Sequence, residues 1–446
     1  MPPRGAILAA VLPLCLMLSA CTGAPEQPPA SVAERTGSTD APAYSPPVPP
    51  PTVRADGCSG PLPGATVCLS TANALDLPAG LITDTFDVGV ADEPPRMAGY
   101  ADMTTLQPDG RVAGARRPFS KDVDAGYVPP LEIGWYVDGI LQPFSTQSDE
   151  PHRAAAVLAT DGETVVWKET TATDLYVEDW WIKAYANGRV TTVATSDDLG
   201  FGHTLPWAGS LIALASGVVY WTAGVPDASL PAGGKGVLLA KRIDGTGAIQ
   251  TVADDAYLPT SDGWGNLYYG LADGHEDVRL FRVPPGGLPT QVATVPLHGD
   301  YTMTGLAADG DHLAWSLDQR TGMGGLSADN YHAWIYIQDL GDGSLTEVAL
   351  NSSGGGGNVL SLSGGWIGWG DGSGWGDTKE YLLHLADGHL YTIGDAPGGS
   401  WVHVSFPAVA WREPHPSDDP SIGLVNRDVV GFLPSTSGSV AGPGAE

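Results

Sequence analysis

Basic residues are scarce in this chain. Its 446 residues hold 21 Lys and Arg against 51 Asp and Glu, a net charge of −30. A field of that sign repels phosphate backbones, so nucleic acid is not an expected partner. Cysteine is rarer still, with four residues, two of them within the first 21 positions. The other two, Cys58 and Cys68, have no His nearby, which argues against a zinc site. Beyond the N-terminus no run of 18 apolar residues occurs, so no transmembrane helix is expected. Also missing are a Gly-x-Ser-x-Gly elbow, Ser-x-x-Lys, His-Glu-x-x-His and a Walker loop. Their absence weakens the common hydrolase classes. It leaves open a propeller glycosidase or lyase, which carries no short motif.

The first residues read as an export signal. Arg4 supplies a positive start, and Ala6 to Leu18 is apolar but too short to span a bilayer as a mature helix. The stretch closes with Leu18-Ser19-Ala20-Cys21, which resembles the lipobox of bacterial lipoproteins. That resemblance implies cleavage after residue 20, lipid on Cys21, and an address on the outer side of the membrane. Lipid would then be the only membrane anchor. The alternative is an ordinary secretory signal that happens to end near a Cys. Removing residues 1–20 leaves 20 basic against 51 acidic residues, or −31.

Residues 21–56 follow as the lipidated Cys and a tether. Thr22 to Asp56 carries nine prolines and almost no large apolar side chain, so it cannot bury a core. Residues 57–99 hold Cys58 and Cys68, ten positions apart in an exported chain, which predicts a local disulfide. Leu81 to Val88 reads as a strand.

From about residue 100 a repeat takes over. An aromatic closes the second β-rich run of each unit: Trp167, Trp221, Tyr269, Trp315, Trp369 and Trp411, at spacings of 54, 48, 46, 54 and 42 residues. Those intervals suit a four-stranded propeller blade. Turns at Asp109-Gly110, Asp161-Gly162, Asp309-Gly310 and Asp387-Gly388 punctuate the runs, and no amphipathic helix interrupts them. With an earlier, looser copy from Arg111 to Phe144, seven units are expected across 100–434, although six or eight blades are possible. The units resemble those of TolB-like propellers, whose signature is Asp-Gly, two residues, then an apolar-aromatic run. Thr160 to Trp167 and Ala308 to Trp315 carry it, without the Ser-Pro that commonly precedes Asp-Gly in that family. The expected fold is an all-β propeller, with residues 435–446 as a disordered tail.

Function is expected in the connections between second and third strands, which leave a propeller on one face. The expected connections are Lys168 to Asp179, Thr222 to Gly236, Leu317 to His332, Asp371 to Lys379 and Arg412 to Ser421, all long, and Leu271 to Asp277, short. Asp371-Gly372-Ser373-Gly374-Trp375-Gly376-Asp377 could present Trp375 to a sugar or a protein. Asp371 and Asp377 could bind Ca²⁺, although the spacing is not that of an EF-hand and the bland alternative is a turn whose Trp packs on a neighbouring blade. Asp329, Tyr331 and Arg412 are the polar groups placed beside it. Asp273, His275 and Asp277 alternate and could hold a metal, or form an ordinary turn. Asp318, Arg320, Asp329, Tyr331 and His332 in one loop, and Arg412, Glu413, His415, Asp418 and Asp419 in another, could do acid–base work. No cofactor is otherwise expected. The reading that follows is a tethered binding or scaffold module for an envelope protein or glycan. The alternatives are an extracytoplasmic enzyme acting on carbohydrate or peptide, and an accessory subunit of an envelope complex.

Overall fold

The structure, a computed structural model, describes residues 58–90, 104–116, 132–137, 140–146, 154–170, 179–200, 211–226, 234–273, 276–297, 301–319, 332–350, 356–371, 377–397, 402–416 and 424–434. Seven antiparallel sheets form seven blades, spanning 104–146, 154–195, 212–254, 256–296, 301–350, 356–397 and 403–432. In blades one to six the chain begins at the centre and steps outward strand by strand, and in blade seven its first three strands do so. Every first strand touches the first strand of the next blade, and that of blade seven touches that of blade one. The ring is closed: a seven-bladed β-propeller.

The Asp-Gly turns show why the runs reverse where they do. At Asp309-Gly310 the Asp309 Oδ1 accepts the backbone N–H groups of Asp311 and His312, and Gly310 takes φ 94°. Asp109 and Asp387 accept the N–H two residues on in the same way. A short acceptor followed by a residue free to adopt positive φ closes a tight hairpin.

The core lies between blades. Seven buried hydrophobic clusters are found among the described residues, one at each blade contact. The six repeat aromatics are all buried, and each packs toward the preceding blade. Trp221, for example, meets Trp180 of blade two edge-on at 5.6 Å. The contact between blades seven and one is the exception. It holds small and aliphatic residues such as Val112, Ala408 and Val430, with no fully buried aromatic.

The segment read as preceding the propeller is part of it. Strand β1 (Val67–Ser70) lies parallel on the outer strand of blade five, and β2 (Leu75–Asp76) does the same on blade six. Strand β3 (Thr83–Val90) is the fourth strand of blade seven, pairing antiparallel with Leu424–Phe432. The N-terminal and C-terminal ends of the ring are thus hydrogen-bonded in one sheet.

The Cys58–Cys68 disulfide is present and closes a clamp on blade five. Ser59 and Gly60 both donate their N–H groups to Glu347 Oε1 at 2.9 Å, and Tyr336 donates its hydroxyl to Oε2. Glu347 is 1% exposed, so these donors replace the water that it loses. Burial and the adjacent Glu347 charge raise the Tyr336 phenol well above its usual range. A Cβ on Gly60 would collide with the Tyr336 hydroxyl and the Glu347 carboxylate, so a larger residue there would have to displace both side-chain ends.

Second strands run further than their sequence suggests. They extend to Thr170, Pro226, Gln319 and Pro416, shortening the connections expected after Trp167, Trp221, Trp315 and Trp411. Some of the polar residues in these extensions are satisfied by the neighbouring strand, Glu169 by Lys183 and Arg412 by Asp428.

Candidate functional site

The first strands of all seven blades surround a central cavity of about 300 Å³. Most of its wall comes from the parts of those strands that lead into the first hairpins, as at Pro259–Gly263 and Leu360–Ser363. The cavity therefore lies toward the hairpin side of the ring, away from the second-to-third connections.

Hydroxyls dominate the polar part of the wall, and some of them join blades. Thr105 and Thr160 share a hydrogen bond of 3.2 Å between blades one and two. Ser361 Oγ donates to the Val404 carbonyl at 3.1 Å and accepts the Val404 N–H at 2.8 Å, joining blades six and seven. Ser363 accepts the Phe406 N–H. Thr260, Ser261 and Ser405 also line the wall, and no described protein group hydrogen-bonds their hydroxyls.

Two titratable groups line it. Burial, reinforced by the positive charge of Arg412, pushes His403 down to about 4, so this ring is neutral at neutral pH. Asp262, 7% exposed, is spent on its own hairpin: it accepts the N–H groups of Trp264 and Asn266, the Asn266 side-chain amide and the Tyr268 hydroxyl. The wall thus offers hydroxyls and aliphatic surface, without a free charge to pair with an ionic ligand.

The sequence candidates distribute differently. Arg412 is a correction in placement: it is not in a loop but in the strand Ala408–Pro416, 7% exposed. Its Nε donates to Asp428 Oδ1 at 2.8 Å, and its N–H to Glu380 of blade six at 2.9 Å. Asp318 likewise lies in a strand, His312–Gln319, and is buried. Asp371 and Asp377 end and begin strands of blade six, while their side chains lie outside the described residues. Cys21, Asp329, Tyr331 and Trp375 lie outside them too, as do His275, Arg320, Asp418 and Asp419. Among the described residues no group of three His, Cys, Asp or Glu is arranged to hold a metal.

Two features escaped the sequence reading. In blades two and seven the repeat Trp is followed by a cation and Glu, and the indole N–H donates to that Glu at 2.9 Å: Trp167 to Glu169, and Trp411 to Glu413. Glu169, fully buried, also pairs with Lys183 at 2.9 Å. These carboxylates are committed to the blade contacts. The recurrence of Trp-Lys-Glu and Trp-Arg-Glu was the available signal. The second feature is Trp264, in the first hairpin of blade four, 78% exposed beside the cavity-lining Asp262 and Gly263.

No family model and no curated relative matches the chain. Solved structures do. The N-terminal domain of Nup159 is 10% identical, with 83% of this chain and 100% of that chain covered and a TM-score of 0.42. Puromycin hydrolase is 16% identical, with 78% and 54% covered and a TM-score of 0.42. The β-propeller domain of the Trilobed protease from Pyrococcus furiosus is 9% identical, with 58% and 79% covered and a TM-score of 0.39. This chain spans about half the length of the puromycin hydrolase that it matches. At such identities and TM-scores the likeness extends no activity to this chain.

Proposed function

We propose that the protein is an extracytoplasmic binding module, anchored by lipid on Cys21, whose ring holds an envelope protein or a glycan. One observation carries this reading: the chain enters the ring at its rim. Ser59 and Gly60 are fastened to Glu347 on the outer strand of blade five, and β1 continues along that edge. An attachment at the rim, rather than at the cavity wall, is what favours a ring that faces a partner. The 300 Å³ cavity is within the range of small-ligand pockets, and its wall carboxylate, Asp262, is already bonded within its own hairpin.

The test has two arms. Cys21→Ala is expected to release the protein from the membrane fraction or leave it unprocessed. Mature protein that is processed and fractionates as before in the variant sinks the anchor. Capture from detergent-solubilised envelope should retain a specific protein or glycan on the wild type. Hydrolysis of a glycan by the purified protein would replace binding with the glycosidase or lyase alternative.

A further inference from the structure

We infer that the hairpin-side mouth of the channel is a subsite for neutral carbohydrate, with Trp264 as its stacking platform. This specifies the glycan branch of the binding function proposed above, and it places the ligand on the face opposite the long connections.

Exposure of a large aromatic is ordinary when the ring is free to move. Trp264 is fixed instead. Its N–H donates to Asp262 Oδ1 at 2.8 Å, and its indole N–H donates to the Asp309 carbonyl of blade five at 3.1 Å. Its edge lies against Gly310, where a Cβ would come within 3.0 Å of Trp264 Cδ1. Gly263 and Gly265, at φ 72° and 88°, let the hairpin fold back on both sides of it. Asp262 in turn is held by Asn266 and Tyr268. A ring that is 78% exposed yet tied at both its backbone and its Nε1 has already lost the freedom that binding would otherwise take away.

The chemistry of the neighbours selects the ligand. Trp264 follows directly on the wall residues Asp262 and Gly263, and Thr260, Ser261 and Ser405 line the same cavity with hydroxyls that no described protein group bonds. A pyranose has an apolar face of C–H groups that stacks on indole and a rim of hydroxyls that needs donors and acceptors. An anionic sugar meets a chain of net charge −30 and a wall with neutral His403, and Arg412 behind that wall is already paired with Asp428. A neutral sugar meets neither obstacle.

The experiment is affinity electrophoresis of the mature wild-type protein in gels containing glycogen, soluble cellulose or soluble chitin, with alginate as the anionic comparison. At least one neutral polysaccharide should retard the protein, and alginate should not. Trp264→Ala should weaken that retardation roughly thirtyfold, as loss of an aromatic hot spot does, and Trp264→Phe should keep part of it. Because the ring is exposed, Trp264→Ala should melt close to the wild type. No retardation by any of the three overturns the subsite, as does equal retardation of Trp264→Ala. If Trp264→Ala still captures an envelope partner as the wild type does, the binding function stands while this subsite falls.

Discussion

The outer edge of blade five and that of blade three are built differently. In blade three the pairing of third and fourth strands slips by a residue at Leu238/Leu239, and blades one, two and four slip at Ile133/Gly134, Ile182/Lys183 and Leu280/Phe281. In blades two, three and four the slip occurs beside the residue paired with the repeat aromatic. A bulge twists an edge and spoils it as a template for another strand. Blade five has no such slip, and its edge is straight from Leu345 to Leu350. That edge carries β1 over four residues, under the disulfide clamp. Blade six, bulged at Glu380/Tyr381, accepts only the two residues of β2. The molecule protects most edges by distortion and seals its one regular four-stranded edge with its own N-terminal segment.

The largest expected effect asks whether that seal also supports the ring. Trp221→Ala empties an indole site between blades two and three, where β1 to β3 add no strand, and Trp315→Ala does so in blade five. Each should cost about 3–5 kcal/mol. If the clamp only seals an edge, the two melting temperatures should fall by similar amounts. A much smaller fall for Trp315→Ala would mean that the clamp shares the load of that contact.

Opening the clamp should have a smaller and more local effect. Cys58→Ser with Cys68→Ser is expected to cost about 2–3 kcal/mol. Hydrogen exchange should rise at 58–70 and along Leu345–Leu350, while Gln250–Asp254 in blade three is unchanged. Gly60→Ala, which leaves the disulfide in place, should act in the same direction by forcing a Cβ against Tyr336 and Glu347. With the straight edge uncovered, the double variant should also self-associate faster. Uniform exchange across the ring would show that the clamp is not a local device.

How much of this was legible in the sequence follows from which interactions are local. The repeat aromatics and Asp-Gly turns announce themselves, because each depends on a few adjacent residues, and they led to seven blades. Cys58 and Cys68 were legible for the same reason. The roles of β1 and β2 were not: two- and four-residue parallel strands have no pattern of their own, and their partners lie hundreds of positions away. Lys168, Glu169 and Arg412 looked like loop residues because their charges are satisfied only by tertiary partners. Trp264 was missed although Asp262-Gly263-Trp264-Gly265-Asn266 has the glycine-flanked form that drew attention to Trp375.

The smallest expected effect sharpens the comparison on the hairpin side. Blade three is joined to blade four there by a neutral bond, Ser216 Oγ to the Gly265 carbonyl at 3.2 Å. Blade five is joined to both neighbours through Asp309, which receives the Trp264 indole at its carbonyl and the Gly365 N–H at Oδ2. His312 Nδ1 lies 3.2 Å from Asp309 Oδ1. Burial opposes ionisation of Asp309, but bonds from His312 and from backbone N–H groups outweigh it and lower its pKa. The bond to Asp309 raises that of His312. A lowered carboxyl pKa stabilises above the unfolded value of about 4 and is lost as pH falls through the folded one. A raised imidazole pKa stabilises below about 6.5 and is lost as pH rises through its folded value. The pair should therefore contribute most between about pH 4 and 6.5, by about 1 kcal/mol or less, since His312 is partly solvated. Thermal melts of wild type and His312→Gln across pH 4–8 measure this. The gap between them should be widest in the acidic part of the range and close toward pH 8, whereas a Ser216→Ala gap should stay constant. A constant gap for both would reduce the Asp309–His312 contact to another neutral hydrogen bond, and the hairpins of blades three and five would then be joined by the same kind of interaction.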